Sequence, residues 1–133
     1  MGEVRVKVTL TNAADEGLFR RGLLAADQVR RYEADAVADT GAACTVLPQA
    51  IAERLGLAIR GRRFARYADS HYEELDVTEP LVVDIDGHDT VDEALVVGDE
   101  VLIGQTVLEK LNLLVDCDGR RLIPNPRRPF TRV

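Results

Sequence analysis

Turn signals that recur along the chain constrain its fold most. The pairs Asp69-Ser70, Asp86-Gly87 and Asp118-Gly119 each separate two short runs of apolar or β-branched residues. Residues of these types adopt tight-turn conformations easily, and Asp-Gly is typical of a two-residue hairpin loop. Turns spaced roughly eight to twelve residues apart leave room for short strands but not for long helices. The spacing therefore predicts a mostly β chain.

The first predicted strand has the clearest pattern. Val4, Val6, Val8 and Leu10 alternate with charged or polar residues. An apolar residue at every second position is typical of a strand with one buried face, because successive side chains point to opposite sides of the sheet. Residues 11–27 break this alternation, and their few apolar side chains predict a packed loop or a short helical turn.

The rest of the chain divides into further strands and two short helices. Single strands are predicted at residues 29–38 and 101–103, and hairpins at residues 59–77, 81–97 and 113–123. Helices are predicted at residues 48–55 and 105–111, where apolar side chains recur at helical spacing. Together these elements favour a compact, mostly antiparallel β-barrel.

Composition narrows the class of protein. The 133 residues are the length of one ordinary domain, and 46% apolar with 30% charged residues is the balance of a globular protein. The net charge of −6 argues against a nucleic-acid partner, which would need a surplus of Lys and Arg. No stretch is apolar enough to span a membrane, and the N-terminus lacks the apolar segment of a secretory signal. We therefore expect a cytoplasmic protein with no membrane partner.

The charges are unevenly distributed along the chain. Residues 67–109 contain no Lys or Arg and many Asp and Glu, whereas several arginines lie on either side of this stretch. One interpretation is that the carboxylates cover solvated strand faces. The other is that they form an acidic surface that prefers basic peptide segments.

Cysteine and histidine give no sign of a further reactive centre. Cys44 and Cys117 are too few for a disulfide framework and are expected to be small buried hydrophobic residues. His71 and His88 are isolated from other ligand-type residues at metal-site spacing, so no metal site is predicted. Neither histidine is near Cys44 in the sequence, and a thiol nucleophile is not predicted.

One short motif carries the chemistry. Asp39-Thr40-Gly41-Ala42 follows a predicted strand directly, and about sixty residues later Ile103-Gly104 leads into a predicted helix. An Asp-Thr-Gly tripeptide alone is only suggestive, because short motifs arise by chance. The order of strand, motif, hairpin, apolar-Gly element and helix is more informative than any single part.

In this order of motifs the sequence resembles the retropepsin-like aspartic proteases, specifically their small prokaryotic relatives. The resemblance covers about residues 4–124. It implies a closed acid-protease β-barrel with two short helices and one lobe per chain. The expected organisation is a protease domain at residues 1–124 and a mobile, Pro- and Arg-rich tail at residues 125–133.

The resemblance also implies roles for residues of the motif. Asp39 matches the catalytic aspartate, and Thr40 matches the hydroxyl residue that ties two active-site loops together. Gly41 matches the glycine whose backbone approaches the carboxylate, and Ala42 completes the turn. Gly104 matches the glycine that lies under the catalytic loop. The predicted hairpin at residues 66–72 lies where the family has its flap.

Family flaps usually carry glycine at the tip, and Ser70 stands there in this sequence. The residues expected to contact substrate from the flap are Tyr67, Ala68, Asp69, Ser70 and His71.

The predicted mechanism needs two carboxylates. Two carboxylates held close together share one proton, since like charges at that distance do not both ionise readily. This chain has no second Asp-Thr-Gly or Asp-Ser-Gly, so a homodimer is predicted to bring Asp39 against Asp39 of a second copy. The predicted activity is hydrolysis of a peptide or protein substrate by an aspartic endopeptidase without a cofactor.

Two other functions remain compatible with the sequence. A non-proteolytic β-barrel module for dimerisation or peptide binding would retain the fold without turnover, because fold does not establish function. The intact Asp-Thr-Gly motif argues against this alternative. A self-processing protease is the other alternative, suggested by the loose segment from Pro124 to Val133, which contains Pro124, Pro126 and Pro129.

Overall fold

A computed structural model describes residues 3–127, and it confirms the predicted mostly β class. The strands are β1 (Val4–Asn12), β2 (Arg31–Ala38), β3 (Thr45–Leu47), β4 (Ile59–Arg66), β5 (Tyr72–Thr78), β6 (Leu81–Ile85), β7 (His88–Asp92), β8 (Ala94–Val96), β9 (Leu102–Ile103), β10 (Leu113–Asp116) and β11 (Arg121–Pro124). The α-helices are α1 (Ala13–Arg20), α2 (Gln49–Arg54) and α3 (Gln105–Lys110), and residues Ala26–Gln28 form a 3-10 turn.

Nine strands form one sheet in the order β4-β5-β8-β3-β9-β2-β1-β6-β7, and β10 pairs with β11 separately. Most neighbours are antiparallel, as predicted, but β2 with β9 and β3 with β8 are parallel. β4 and β7 end the order, so strand pairing within residues 3–127 does not close the predicted barrel. At one end of the order, β4 is exposed along nearly its whole length and forms a hairpin with β5.

The core lies under the long strands at the centre of the sheet. β1 pairs with β2 from Val4 opposite Ala38 to Thr11 opposite Arg31, and with β6 on its other side. The period-two pattern of β1 buries Val8 and Leu10 against apolar residues of neighbouring strands and of α3. Burial of each such side chain contributes about 1.5–3 kcal/mol to stability. This packing holds the end of β2, where the motif begins.

Residues 11–27 contain a helix of two turns, more regular structure than the sequence pattern predicted. Asn12 begins α1, because its side-chain oxygen accepts a hydrogen bond from the Asp15 N–H at 3.0 Å. The other end of the same side chain donates to the Leu55 carbonyl at 2.9 Å. Asn is a favoured N-cap residue, and this double use fixes both the helix and its attachment to the core.

The second predicted hairpin is shorter than expected. β6 and β7 turn at Asp86 and Gly87, whose φ angles of +55° and +85° are those of the predicted tight turn. The predicted return strand at residues 90–97 is interrupted at Glu93, and β8 leaves to pair with β3 and β5. A hydrogen bond of 3.1 Å from the Ala94 N–H to the Thr78 hydroxyl helps to hold this change of partner.

The ends of the chain are described only in part. No helix within residues 3–127 is long and apolar enough to cross a membrane. Of the predicted tail at residues 125–133, residues 128–133 lie outside the described part. Asn125 still contacts the body of the protein, since its N–H donates to the Asn112 carbonyl at 2.9 Å.

An ion pair between buried Asp15 and half-exposed Arg30 fastens α1 to the chain that enters β2. The Asp15 side chain is only 9% exposed, and its two oxygens accept hydrogen bonds from the Arg30 guanidinium at 2.8 and 2.9 Å. The Arg30 N–H donates to the same carboxylate at 3.0 Å. The guanidinium hydrogen bonds hold the pKa of Asp15 below its usual value, against the opposing effect of burial.

We expect Asp15→Asn to lower the free energy of unfolding by about 1–3 kcal/mol at neutral pH. Because the folded-state pKa of Asp15 is depressed, its contribution is present above the unfolded-state value of about 3.9 and is lost as pH falls through the folded-state pKa. The variant should therefore lose less stability than the parent on acidification below about pH 4. Urea unfolding at several pH values measures both effects. The matched control is Glu16→Gln, since Glu16 pairs with exposed Arg20 on the same helix; an equal loss in both variants would contradict the prediction.

Candidate active site

The Asp39-Thr40-Gly41-Ala42 loop connects β2 to the segment before β3, and backbone bonds hold both of its ends. The Asp39 N–H donates to the Ile103 carbonyl at 2.9 Å, which extends the pairing of β2 with β9 by one residue. The Ala42 N–H donates to the Asp39 carbonyl at 3.1 Å and closes the turn. The Asp39 carboxylate is half-buried and accepts a hydrogen bond from the Gly41 N–H at 2.8 Å. Its orientation is therefore fixed by the backbone.

Gly104 lies directly beneath this loop. Its backbone is extended, with φ −91° and ψ −179°, so its conformation alone does not require glycine. A Cβ atom there would come within 2.5 Å of the Cys44 carbonyl oxygen, 2.7 Å of the Ala42 carbonyl oxygen and 2.8 Å of the Cys44 nitrogen. Close approach to the loop is the reason that only glycine fits at position 104.

Two further residues support the loop, and sequence reasoning missed both of them. The Thr106 hydroxyl and N–H both donate to the Ala43 carbonyl, at 2.6 and 3.0 Å. Asp92 accepts hydrogen bonds from the N–H and the hydroxyl of buried Thr45, at 3.0 and 2.8 Å. A Thr in the first turn of a helix and an Asp at the end of a strand are common features, and neither feature predicts its partner.

The tip of the loop is open to solvent. Thr40 and Gly41 are exposed, and Ala42 is half-buried. Within residues 3–127 the Thr40 hydroxyl makes no hydrogen bond. A Cβ atom on Gly41 would lie 3.1 Å from the Asp39 Oδ1, which is closer than most such contacts. The small residue at position 41 therefore lets the backbone approach the carboxylate.

The predicted flap is a hairpin of β4 and β5, in register from Arg66 opposite Tyr72 to Gly61 opposite Val77. In its turn the Tyr67 N–H donates to the His71 carbonyl and the Ser70 N–H donates to the Tyr67 carbonyl, both at 2.9 Å. Ser70 has a φ of +71°, a conformation that glycine adopts far more easily than serine does. The residue type differs from the family's tip glycine, but the backbone conformation is one that favours glycine.

We expect Ser70→Gly to raise the free energy of unfolding by about 0.5–1 kcal/mol, because glycine relieves the cost of a positive φ. Ser70→Ala is the matched control, since alanine also loses the hydroxyl but keeps that cost. Urea unfolding of both variants decides the point. A Gly variant no more stable than the Ala variant would show that the turn is not strained.

Side-chain contacts also organise the hairpin tip. The Tyr67 and His71 rings stack with centroids 4.3 Å apart and an angle of 4° between their planes. His71 Nδ1 bonds to the Asp69 carboxylate, and this bond lowers the pKa of Asp69. Burial raises the pKa of Tyr67, with a further contribution from Glu73. Ala68 and Ser70 are exposed between these groups.

A cleft of about 430 Å³ separates the loop from the hairpin. Its lining residues are Gly41, Ala42, Ala43 and Cys44 from the loop, Arg63, Phe64, Ala65, Arg66 and Tyr67 from the hairpin, and Val46, Leu75, Leu95, Val97 and Leu102 between them. Asp39 itself is not among the lining residues, but its carboxylate accepts a hydrogen bond from Gly41, which lines the cleft. Of the predicted flap contacts, Tyr67 lines this cleft, whereas Ala68, Asp69, Ser70 and His71 do not.

A larger depression of about 590 Å³ lies elsewhere, between β1, the turn at Asp86 and Gly87, and the β10–β11 hairpin. None of the predicted site residues lines it.

The cysteines differ in environment. Cys44 is half-buried, and burial raises the pKa of its thiol, so the site does not activate it as a nucleophile. Cys117 is exposed, and the expectation that it is a buried hydrophobic residue is wrong. It follows the last residue of β10 and so lies in the turn of the β10–β11 hairpin. In the described part of the chain no group of three His, Cys, Asp or Glu side chains is placed to hold a metal ion.

Comparison with solved structures bears on the fold. The solution structure of the simian foamy virus (mac) protease matches this chain with a TM-score of 0.50 and 17% sequence identity, over 80% of this chain and 93% of that one. The chain has a retropepsin-like fold. No family model matches the sequence, and no curated protein matches it. At 17% identity the retropepsin-like fold is what the comparison shows, so roles for single residues depend on the geometry of the site.

Proposed function

We propose that this protein is an aspartic-type endopeptidase whose Asp39 acts together with Asp39 of a second copy in a homodimer. The observation that carries the proposal is the Asp39 carboxylate, fixed by the Gly41 N–H at 2.8 Å beside a cleft roofed by a β-hairpin. On a retropepsin-like fold, this combination supports peptide hydrolysis better than a binding role alone.

Dimerisation follows from the number of carboxylates that the mechanism needs. Each chain has one Asp-Thr-Gly motif. The exposed tip of the loop at Thr40 and Gly41 leaves room for the same loop of a second copy, related by a two-fold axis. In that arrangement each Thr40 hydroxyl is free to bond across the interface.

The two carboxylates would take different roles in one reaction. The ionised one accepts a proton from the attacking water, and the protonated one polarises the peptide carbonyl and later helps to protonate the leaving amine. A two-fold axis makes the two copies equivalent, so either copy of Asp39 can take either role. Gly41 contributes a backbone donor to one carboxylate oxygen of Asp39, Oδ1, and leaves the other oxygen free of that bond.

The cleft suggests how a substrate is held. Its apolar lining, from Ala42 and Val46 to Leu102, suits the side chains of an extended peptide. Residues 66–72 form the hairpin that would cover the bound peptide, as flaps in this fold do. We propose Tyr67 as its contact within the cleft, and Ala68 to His71 as contacts only after dimerisation or closure.

The proposal is tested by incubating the protein with a diverse peptide library from about pH 3 to 8 and identifying the products by mass spectrometry. Sedimentation at a series of protein concentrations gives the dimer fraction in the same buffers. We expect the rate per protomer to rise with that fraction. A dimer that binds library peptides and cuts none would favour the peptide-binding module instead.

A further inference from the structure

Arg63 points into the cleft from the hairpin. It lies opposite Leu75 in the register of β4 and β5, and residues directly opposite each other share one face of the sheet. Leu75 is buried and lines the cleft, and so does Arg63. The side chain of Arg63 therefore projects toward the space between hairpin and loop.

Its neighbour Arg62 projects the other way and has partners there. Arg62 lies opposite Asp76 and bonds to that carboxylate at 3.2 Å, with Glu74 at 3.9 Å. Arg63, by contrast, forms no ion pair with any carboxylate in the described part of the chain. Arg62, Arg63 and Glu93 all line an adjacent shallow depression, and Arg63 forms no ion pair with Glu93 there.

The surroundings of Arg63 strengthen its attraction for a negatively charged group. No Asp or Glu is among the residues that line the cleft, and most of them are apolar. Electrostatic attraction is stronger beside such a surface than in open water. The charge of Arg63 also reaches the opposite wall: burial and Asp92 raise the pKa of Cys44, and Arg63 acts on that pKa in the opposite direction.

We propose that Arg63 forms a specificity subsite for an acidic side chain, Asp or Glu, in a substrate whose neighbouring residues are apolar. The inference rests on the proposed function and names its substrate class. It also reverses one interpretation of the sequence, in which the carboxylates of residues 67–109 favour basic peptides. The members of that stretch that line the cleft are Tyr67, Leu75, Leu95, Val97 and Leu102, none of them acidic.

The first experiment uses the best-cleaved library peptide, remade with Glu, Gln or Lys at each position near the scissile bond. We expect Glu to raise kcat/KM about fivefold to tenfold over Gln at one position, an effect that salt reduces. Arg63→Gln should reduce this preference to less than about twofold, and Arg63→Glu should turn it toward Lys. Arg62→Gln, which removes the same charge from the outer face of β4, should leave it unchanged. If the Arg63→Gln and Arg62→Gln variants showed the same preference for Glu over Gln, the inference would be overturned.

The second experiment decides the inference even if no peptide is cut. An array of decapeptides with a central Phe-Leu pair flanked by Glu, Gln or Lys is probed with the Asp39→Asn protein, with and without Arg63→Gln. Preferential binding of the Glu peptides that Arg63→Gln removes would support the subsite. Equal binding of Glu and Gln peptides would overturn it. Failure of the proposed function is a separate outcome, the absence of cleavage by the parent protein.

Discussion

Asp39→Asn is expected to reduce peptide cleavage at least about a thousandfold, because an amide neither takes a proton from water nor shares one with a second carboxylate. The amide oxygen can still accept the Gly41 hydrogen bond, so the free energy of unfolding should change by less than about 1 kcal/mol. Cleavage rates and urea unfolding at one fixed protein concentration measure the two quantities. Asp35→Asn, which changes an exposed Asp on β2 just before the loop, is the matched control.

Mixing the Asp39→Asn protein with the parent tests whether the two copies share one site. After equal amounts exchange subunits at random, only about a quarter of the dimers contain two parental chains. Activity should then fall to about half of that of the parental protein before exchange. Asp35→Asn should cause no such fall. Activity that stays unchanged after complete exchange would exclude a site built from both copies.

Gly104→Ala is expected to lower the free energy of unfolding by about 2–4 kcal/mol, because one added methyl group would overlap backbone atoms of Ala42 and Cys44. None of these three backbone atoms can move without displacing the loop that carries Asp39. The variant should therefore also lose most of its activity under conditions where it remains folded.

Gly61→Ala is the control for this prediction, since a Cβ atom at Gly61 has no atom within 4 Å. Its stability should match that of the parent or exceed it slightly. Urea midpoints for all three proteins are compared at one protomer concentration, because dimerisation contributes to stability. A Gly104 variant as stable as the Gly61 variant would mean that the loop and the residue beneath it are not tightly packed.

The strands and turns followed from local patterns in the sequence. β1 was predictable because its alternation has one buried face, and the turn at Asp86 and Gly87 because few residue pairs adopt positive φ angles easily. The elements that differ from the prediction depend on partners distant in the sequence. α1 needs Asn12 to bond to Asp15 and to the distant Leu55, and β8 leaves its hairpin because β3 and β5 accept it.

The candidate site divides in the same way. Asp39 and Gly104 were found because a motif and its order along the chain mark them. Asp92 was not found, because its role comes from hydrogen bonds to Thr45, which is distant in the sequence. Arg63 was not found either, because the pattern of one strand does not show which face of the hairpin its side chain is on. The open sheet was also beyond the pattern, because closure depends on which strands meet at its ends.

The exposed edge of β4 bears on how the protein behaves at high protein concentration. An edge strand offers unpaired backbone groups to any similar strand, and such edges are common starting points for aggregation. β4 carries Arg60, Arg62, Arg63 and Arg66, and a second β4 laid beside it would bring these like charges together. The arginines thus protect the chain from intermolecular sheet growth at this edge. Repulsion between these arginines therefore disfavours the addition of one copy's β4 to that of another.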